Sequence, residues 1–171
     1  MIEIRTLGAS GYDGHVPWLA DLLIDAVAGG AGVSFLRPLD GAEAQAYWLG
    51  IKPAIASGRT LQFAAQSGGT MAGTVLLQKA WAPNQPHRCE VAKLLVHRDH
   101  RRHGIGTLLM NALVEKARAS GFTLITFDAV AHGAAEAFYR GLGFTCAGYI
   151  PGYAYSISSE PDDTAIFYMK L

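Results

Sequence analysis

Apolar and polar residues alternate along some segments of the chain and recur at helical spacing along others. Residues 2–7 have the sequence IEIRTL, and this period of two predicts a strand. Residues 16–28 carry apolar side chains three or four positions apart, which predicts an amphipathic helix. The same helical spacing predicts a helix over 104–120. Asp40 as a cap and Gly58 as a terminator predict a helix over 41–57, and the glycine-bounded segment 133–143 is expected to be a short helix. Strands are predicted over 60–66, 70–78, 89–97, 122–128, 144–150 and 164–171.

The order of these elements is β-α-α-β-β-β-α-β-α-β-β, and it predicts the fold class. Strand 89–97, helix 104–120 and strand 122–128 form a βαβ unit, whose two strands run parallel. The result is an α/β (α+β) fold, with a mixed, mostly antiparallel sheet of six to seven strands, a central parallel pair and helices on both faces. Strand 122–128 shows little polar alternation, so we expect it to be buried on both faces. Segments 81–87 and 151–163 are expected to be loops.

The composition limits the classes of protein to consider. The chain has 171 residues, of which 50% are hydrophobic and 16% charged, and this predicts one globular domain over residues 1–171. The formal net charge is zero, which argues against a nucleic-acid-binding face. We find no signal peptide, and Asp21 and Asp25 interrupt the apolar stretch near the N-terminus. We therefore expect a cytoplasmic protein that binds no membrane.

A local basic segment, HRDHRRHGIGTLLM, covers residues 97–110. The helix that starts here offers N–H groups without partners to an anion such as pyrophosphate. Gly104 and Gly106 would let the anion approach the backbone, and Arg101 and Arg102 would add charge. A solvated basic turn is the alternative.

Two motifs together resemble those of one family. Arg101-x-x-Gly104-x-Gly106, after an apolar strand, resembles the coenzyme-A-binding signature (Q/R-x-x-G-x-G/A) of the GNAT superfamily of N-acetyltransferases. Residues 132–144, HGAAEAFYRGLGF, resemble the second signature of that family, with His132 where asparagine is usual. The resemblance implies a GNAT-like fold in which the two parallel strands splay apart to admit acetyl-CoA. It assigns acetyl-CoA binding to the backbone of Leu94, Leu95 and Val96, to Arg101, Arg102, His103, Gly104, Ile105, Gly106 and Thr107, and to His132 and Tyr139.

Acetyl transfer to an amine needs a base and an acid. Deprotonation at pH 7 costs about 4.6 kcal/mol for a lysine-like amine of pKa about 10.4, but only about 1 kcal/mol for an α-amine. The resemblance implies that Glu90 or Asp128 is the general base, and that Tyr139 protonates the departing thiolate. The alternatives are a surface carboxylate for Glu90, a loop cap for Asp128 and a packed helix aromatic for Tyr139.

Other chemistry has weaker support in the sequence. Cys89 is the candidate for a covalent route, but the adjacent Glu90 would raise its pKa, so we expect direct attack in a ternary complex. His97, His100 and His103 are spaced by three, yet arginines lie between them, so we expect no metal site.

The implied function is acetyl-CoA-dependent acetylation of a primary amine on a small molecule, for example an amino-acid-like toxin or antibiotic, by a monomer or homodimer. A protein N-terminal or lysine acetyltransferase and a non-catalytic acyl-CoA-binding module are the alternatives. We expect the acceptor pocket beside the first two helices, with Trp81 of loop 81–87, Tyr153 and Tyr155 as candidate aromatic walls. Ordinary packing of these three residues under the loops is the alternative.

Overall fold

The computed structural model describes residues 1–157 and 159–171. The strands are β1 (Ile2–Leu7), β2 (Thr60–Ser67), β3 (Thr70–Lys79), β4 (Arg88–Val96), β5 (Leu124–Val130), β6 (Thr145–Tyr155) and β7 (Pro161–Lys170). The helices are α1 (Val16–Ala28), α2 (Gly41–Ala56), α3 (Ile105–Ala119) and α4 (Ala134–Gly141), with short 3-10 turns at Tyr12–His15 and Arg98–His100.

The strands form one mixed sheet in the order β1-β2-β3-β4-β5-β7-β6. β4 and β5 run parallel, and the other neighbouring pairs run antiparallel. The predicted mixed, mostly antiparallel sheet of six to seven strands with a central parallel pair is therefore confirmed, with seven strands.

Helices cover both faces of the sheet, as predicted. α1 and α2 pack on one face, where Leu19 and Trp48 are fully buried beside the sheet residue Leu76. α3 packs on the other face, where Leu109 is buried against Ile125. Burying one such large apolar side chain contributes roughly 1.5–3 kcal/mol, so these two layers hold the sheet in place.

Two sequence-based expectations about strands are wrong. β5 is not buried on both faces. Its C-terminal half does not pair with β4, and Asp128 in that half is exposed. Residues 151–155 and 161–163 are not loop but continue β6 and β7, in which Tyr155 pairs with Pro161. Irregular register between β6 and β7 carries the pairing past the glycines and prolines that suggested a loop.

Candidate active site

A gap opens in the middle of the sheet between β4 and β5. The two strands pair only from Arg88 opposite Leu124 to Glu90 opposite Thr126. Within the described residues, the part of β4 from 91 to 96 has no partner on its β5 side. This edge of β4 is therefore open to an extended ligand, as the resemblance implies for the backbone of Leu94, Leu95 and Val96, except that the Val96 carbonyl already accepts a hydrogen bond from Arg101 Nε.

A bulge in β4 lies beside this gap. Ala92 pairs with Leu76, but Leu95 pairs with Thr74, so β4 has one residue more than β3 between these pairs. Lys93 carries the irregularity with a φ of 50°. The bulge bends β4 away from β5 and turns Lys93 towards the α1 and α2 side, where it contacts Ser34.

The loop from residue 97 to residue 104 ends in a set of free N–H groups at the start of α3. Among the described residues, none of the N–H groups of residues 102–107 has a hydrogen-bond acceptor, and no side chain caps the helix. Gly104 adopts a φ of 77°, with open space where a Cβ would lie. An unfilled cluster of donors at a helix N-terminus fits a pyrophosphate.

Arg101 does not point freely at this donor cluster. Its Nε donates to the carbonyl oxygen of Val96 at 3.0 Å, and its Nη2 lies 3.6 Å from Asp25 Oδ2. Asp25 on α1 also accepts a hydrogen bond from the backbone N–H of Arg98 at 3.1 Å and pairs with the Arg98 guanidinium. The loop is thus fastened to α1 by Asp25, Arg98 and Arg101, which we call the Asp25 cluster.

Asp25 is charged although its side chain is only 9% exposed. Burial alone would raise its pKa, but the hydrogen bonds from Arg98 and the charges of His97 and Arg98 hold the pKa below its ordinary value.

Gly106 has a different neighbour from the one expected. A Cβ at this position would lie 3.3 Å from Cζ of Phe138 on α4. The missing side chain thus makes room for Phe138, and close helix packing explains this glycine without an anion.

The two candidate bases lie on the same face of the sheet, towards α1 and α2. Cys89 and Phe127 belong to the core under α3, and since side chains alternate along a strand, Glu90 and Asp128 point the other way. Glu90 is bound to Arg88, whose Nη1 lies 2.6 Å from Glu90 Oε1. Asp128 forms no hydrogen bond or ion pair with any described residue. Of the two carboxylates, that of Asp128 therefore has fewer contacts within the protein.

Tyr139 lies behind the gap among aromatic rings. Its ring is 4.5 Å from that of Phe127 and 5.6 Å from that of Phe167, between centroids. Burial, and then the charge of Asp128, raises the pKa of Tyr139 to about 12. No described residue hydrogen-bonds its hydroxyl. The side chain is both a packed aromatic and a protonated hydroxyl without a partner.

His132 occupies the position before α4 with a φ of 60°. Asparagine and histidine are both enriched at positive φ, so the backbone accounts for the departure from the family pattern. The His132 N–H donates to Glu136 Oε2 at 2.8 Å, and its ring stacks on Tyr149 at 4.8 Å. Glu136 Oε1 also accepts from Tyr149 at 2.7 Å and from Arg140 at 2.8 Å. These four residues form the Glu136 cluster.

Cys89 is a poor nucleophile in this fold. Its side chain is buried, and burial raises its pKa to about 11, with a further contribution from Glu90 against the opposing charge of Arg88. Across the described part of the chain, no group of three or more histidine, cysteine or acidic side chains is placed to hold a metal ion.

The expected acceptor pocket does not come together. Trp81 lies in the connection from β3 to the start of β4, whereas Tyr153 and Tyr155 lie at the end of β6 that pairs with the start of β7. β5 has seven residues and spans roughly 23 Å, and these aromatic residues lie beyond its opposite ends. Tyr153 and Tyr155 lie at the end of the sheet where the gap opens, and Trp81 does not.

Comparison with known proteins decides the family. Residues 34–144 match the family described as acetyltransferase (GNAT) family, which is more than half of the chain. The chain belongs to the GNAT family. The matched residues include the bulge, the free N–H groups and α4. No helix among the described residues is long and apolar enough to cross a membrane.

Individual relatives agree with this assignment. The chain is 30% identical, over 112 residues, to an uncharacterized N-acetyltransferase of Azospirillum brasilense; the match covers 64% of this chain and 65% of that relative, less than two thirds of its length. A ribosomal-protein-alanine N-acetyltransferase from Brucella melitensis has the same fold, with a TM-score of 0.82, 20% identity and 99% of each chain covered. A phosphinothricin acetyltransferase from Sinorhizobium meliloti, solved in complex with AcCoA, gives a TM-score of 0.80 at 20% identity, covering 99% of this chain and 88% of that one.

Three residues near the gap were missed from the sequence, although each left a signal. Asp25 is a charge in an otherwise apolar helix, and basic residues follow later in the chain. Glu136 lies in the first turn of α4, where a glutamate reaches back to a free N–H. Lys93 breaks the alternation that begins with Glu90, which is the mark of a bulge.

Proposed function

We propose that this GNAT-family chain is an N-acetyltransferase domain spanning residues 1–171, which transfers acetyl from acetyl-CoA to a primary amine of a small molecule by direct attack in a ternary complex. The observation that carries the proposal is the gap between β4 and β5, with unpaired backbone on one side and free N–H groups at its end. An extended cofactor arm and a pyrophosphate need these two features in this order.

The residues present fit acetyl-CoA. The N–H groups of residues 102–107 would hold the pyrophosphate, with Arg102 and His103 exposed beside them. The backbone groups of 94–96 that face the gap would pair with the pantetheine arm, apart from the Val96 carbonyl, which Arg101 occupies. His132 and Tyr139 flank the other side of the gap. Arg101 would act by holding the loop to Val96 and Asp25, because both contacts draw its guanidinium back.

Acetyl-CoA, when bound, supplies the thioester whose acetyl group is transferred. Asp128 is the favoured base, since its carboxylate is exposed at the gap and has no partner among the described residues. Glu90, tied to Arg88, would assist through water. The Tyr139 hydroxyl keeps its proton at neutral pH and would donate it to the departing sulfur.

Relatives support the substrate proposal in a general way. The phosphinothricin acetyltransferase of similar fold was solved with AcCoA. The segments EVAKLLV, AEAFY and PGY of this chain resemble those of the tabtoxin resistance protein, an acetyltransferase of the same superfamily. These two likenesses favour a small amine, including an amino-acid-like toxin or antibiotic, as the acceptor, while the ribosomal-protein-alanine N-acetyltransferase of the same fold keeps a protein N-terminus as the alternative.

Calorimetric titration tests the cofactor site with a matched pair of variants. Gly104 and Gly121 both have a positive φ, 77° and 81°, with open space for a Cβ. Alanine at either position costs about 1–2 kcal/mol of backbone strain, but only Gly104 borders the free N–H groups. We expect wild type and Gly121→Ala to bind acetyl-CoA in the micromolar range, and Gly104→Ala to bind at least tenfold more weakly.

Two further arms complete the test. Acetylpantetheine lacks the pyrophosphate and should bind wild type far more weakly than acetyl-CoA does. A screen of amino acids, amino sugars and peptides, followed by release of the coenzyme thiol, should show turnover of small amines. Turnover of peptides alone would favour a protein acetyltransferase. Binding without any turnover would favour an acyl-CoA-binding module, and failure to bind acetyl-CoA would exclude the proposal.

A further inference from the structure

Lys93 places a positive charge at the α1 and α2 side of the gap. Its Nζ lies 5.3 Å from the ring centroid of Tyr47 and 5.6 Å from that of Phe35. These rings meet edge to face, with centroids 5.1 Å apart. The ammonium is therefore enclosed on one side by aromatic faces, which favour a cation, and is partly withdrawn from water.

The hydrogen-bonding capacity of this ammonium is mostly unused. A lysine ammonium has three N–H donors, and one is directed at Ser34 Oγ at 3.3 Å. Among residues 1–157 and 159–171, no carboxylate oxygen lies within 4.0 Å of the Lys93 Nζ. A half-buried cation without an ion pair is costly, and an anion that arrives beside it finds donors already desolvated.

Asp128 lies near Lys93, beyond ion-pair distance. Burial lowers the pKa of Lys93, and the charge of Asp128 partly opposes that effect. The same carboxylate acts on Tyr139. The two strands that border the gap therefore carry one negative and one positive group, Asp128 on β5 and Lys93 on β4, which form no ion pair with each other.

We infer that Lys93 binds an anionic group of the acceptor, a carboxylate or a similar oxyanion close to the amine that is acetylated. The inference rests on the proposed function and narrows its acceptor to compounds of the α-amino-acid type. Asp128 attracts the amine and Lys93 attracts the carboxylate, so an acceptor with both groups is oriented by two contacts. A simple alkylamine makes only one of them.

The test compares acceptors that differ only in the anion. Initial rates of coenzyme thiol release are measured for L-amino acids and their carboxamides with wild type, Lys93→Met and Lys52→Met. Lys52 is the matched control, because it is a lysine on α2 that already pairs with Asp13 at 2.7 Å. The quantity is the acid-to-amide ratio of kcat/KM. The change of this ratio between variants cancels the different basicity of the two amines.

We expect Lys93→Met to lower the acid-to-amide ratio by about 10- to 100-fold, as loss of a charged hydrogen bond implies. Lys52→Met should keep it within twofold, and Lys93→Arg should retain most of the preference. An unchanged ratio in Lys93→Met would overturn the inference while leaving acetylation intact.

An equilibrium arm does not need turnover. N-acetyl-L-amino acids and N-acetyl-L-amino-acid amides are titrated into the protein in the presence of coenzyme A. Wild type should bind the acids more tightly, and Lys93→Met should lose that difference. If this difference is found without turnover of any amine, the anion site stands and the proposed function fails. If neither product series binds, or the amides bind equally well, the inference is wrong.

Discussion

Two kinds of charged cluster surround the gap, and they differ in how their charges are paired. In the Asp25 cluster and the Glu136 cluster, each buried carboxylate accepts hydrogen bonds from arginine and from a backbone N–H. In the gap itself, the charge of Asp128 acts on Lys93 and on Tyr139 without a hydrogen bond or ion pair to either residue. We call these three the gap residues.

This difference separates support from chemistry. A carboxylate whose oxygens are occupied fixes the backbone that supplies its donors, which are the loop before α3 and the start of α4. A group without a partner retains donors, acceptors and charge for a ligand, at a cost in folding free energy. We therefore expect changes in the gap residues to alter catalysis, and changes in the two clusters to alter binding and stability.

The largest effect is expected from Tyr139→Phe. Removal of the candidate acid should lower kcat by about 100-fold or more, because general acid catalysis contributes about 10²–10⁴. Acetyl-CoA affinity and the free energy of unfolding should change little, since the described residues offer that hydroxyl no hydrogen bond. Steady-state kinetics and calorimetry on the same preparation measure both.

Tyr12→Phe is the matched control for this substitution. Tyr12 is also buried, but its hydroxyl donates to Gln62 Oε1 at 2.7 Å. This variant should lose about 1–3 kcal/mol of stability and keep kcat. If Tyr139→Phe, like Tyr12→Phe, lowers the free energy of unfolding but leaves kcat unchanged, Tyr139 is a packed aromatic and not the acid.

The second effect is expected from Asp25→Asn. Without its charge, the loop before α3 is no longer held by Arg98 and Arg101, and the N–H groups of residues 102–107 must be ordered by the ligand. Acetyl-CoA should bind about tenfold more weakly, and the free energy of unfolding should fall by about 1–3 kcal/mol. The kcat at saturating substrate should be nearly unchanged.

Asp21→Asn serves as the control because Asp21 lies one turn earlier on α1 and is exposed. It should leave binding and stability as in wild type. Equal acetyl-CoA affinity in Asp25→Asn and Asp21→Asn would show that the paired cluster does not organise the loop.

Much of the fold follows from local patterns in the sequence. Helical spacing of apolar residues predicted α1 and α3 to within a few residues, because each of these helices has one buried face. The Asp40 cap and the bounding glycines predicted α2 and α4 to within a few residues. The parallel pair followed from the βαβ order. The full length of β6 and β7 could not be predicted from local patterns. Pro151 and Gly152 favour a turn, but pairing with the neighbouring strand overrides that preference.

The site was predictable where a motif fixes the backbone and not where distant segments meet. The positions of Gly104 and the free N–H groups depend on one loop and one helix start. Asp25 reaches that loop only through the packing of α1, at a separation of 73 residues from Arg98. Lys93 gains its aromatic surroundings from Phe35, in the connection between α1 and α2, and from Tyr47 on α2, both of which lie far earlier in the chain.

The smallest effect is expected from Glu136→Gln, and it depends on pH. Hydrogen bonds from Tyr149, from the His132 N–H and from Arg140 lower the pKa of Glu136 from 4.5 to about 2. A depressed folded-state pKa stabilises the fold above the ordinary value, and this contribution is lost as the pH falls from 4.5 to about 2. Wild type should therefore be more stable than Glu136→Gln at pH 7, and the difference should shrink towards zero near pH 2.

Urea unfolding at pH steps from 7 down to 2 measures this difference, with Glu115→Gln as control, because Glu115 is exposed on α3. The control should show no such convergence with wild type. If the advantage of wild type over Glu136→Gln stays constant across this range, the Glu136 carboxylate does not hold α4 to β6 through its charge. The contrast between paired clusters and gap residues would then rest on the Asp25 cluster alone.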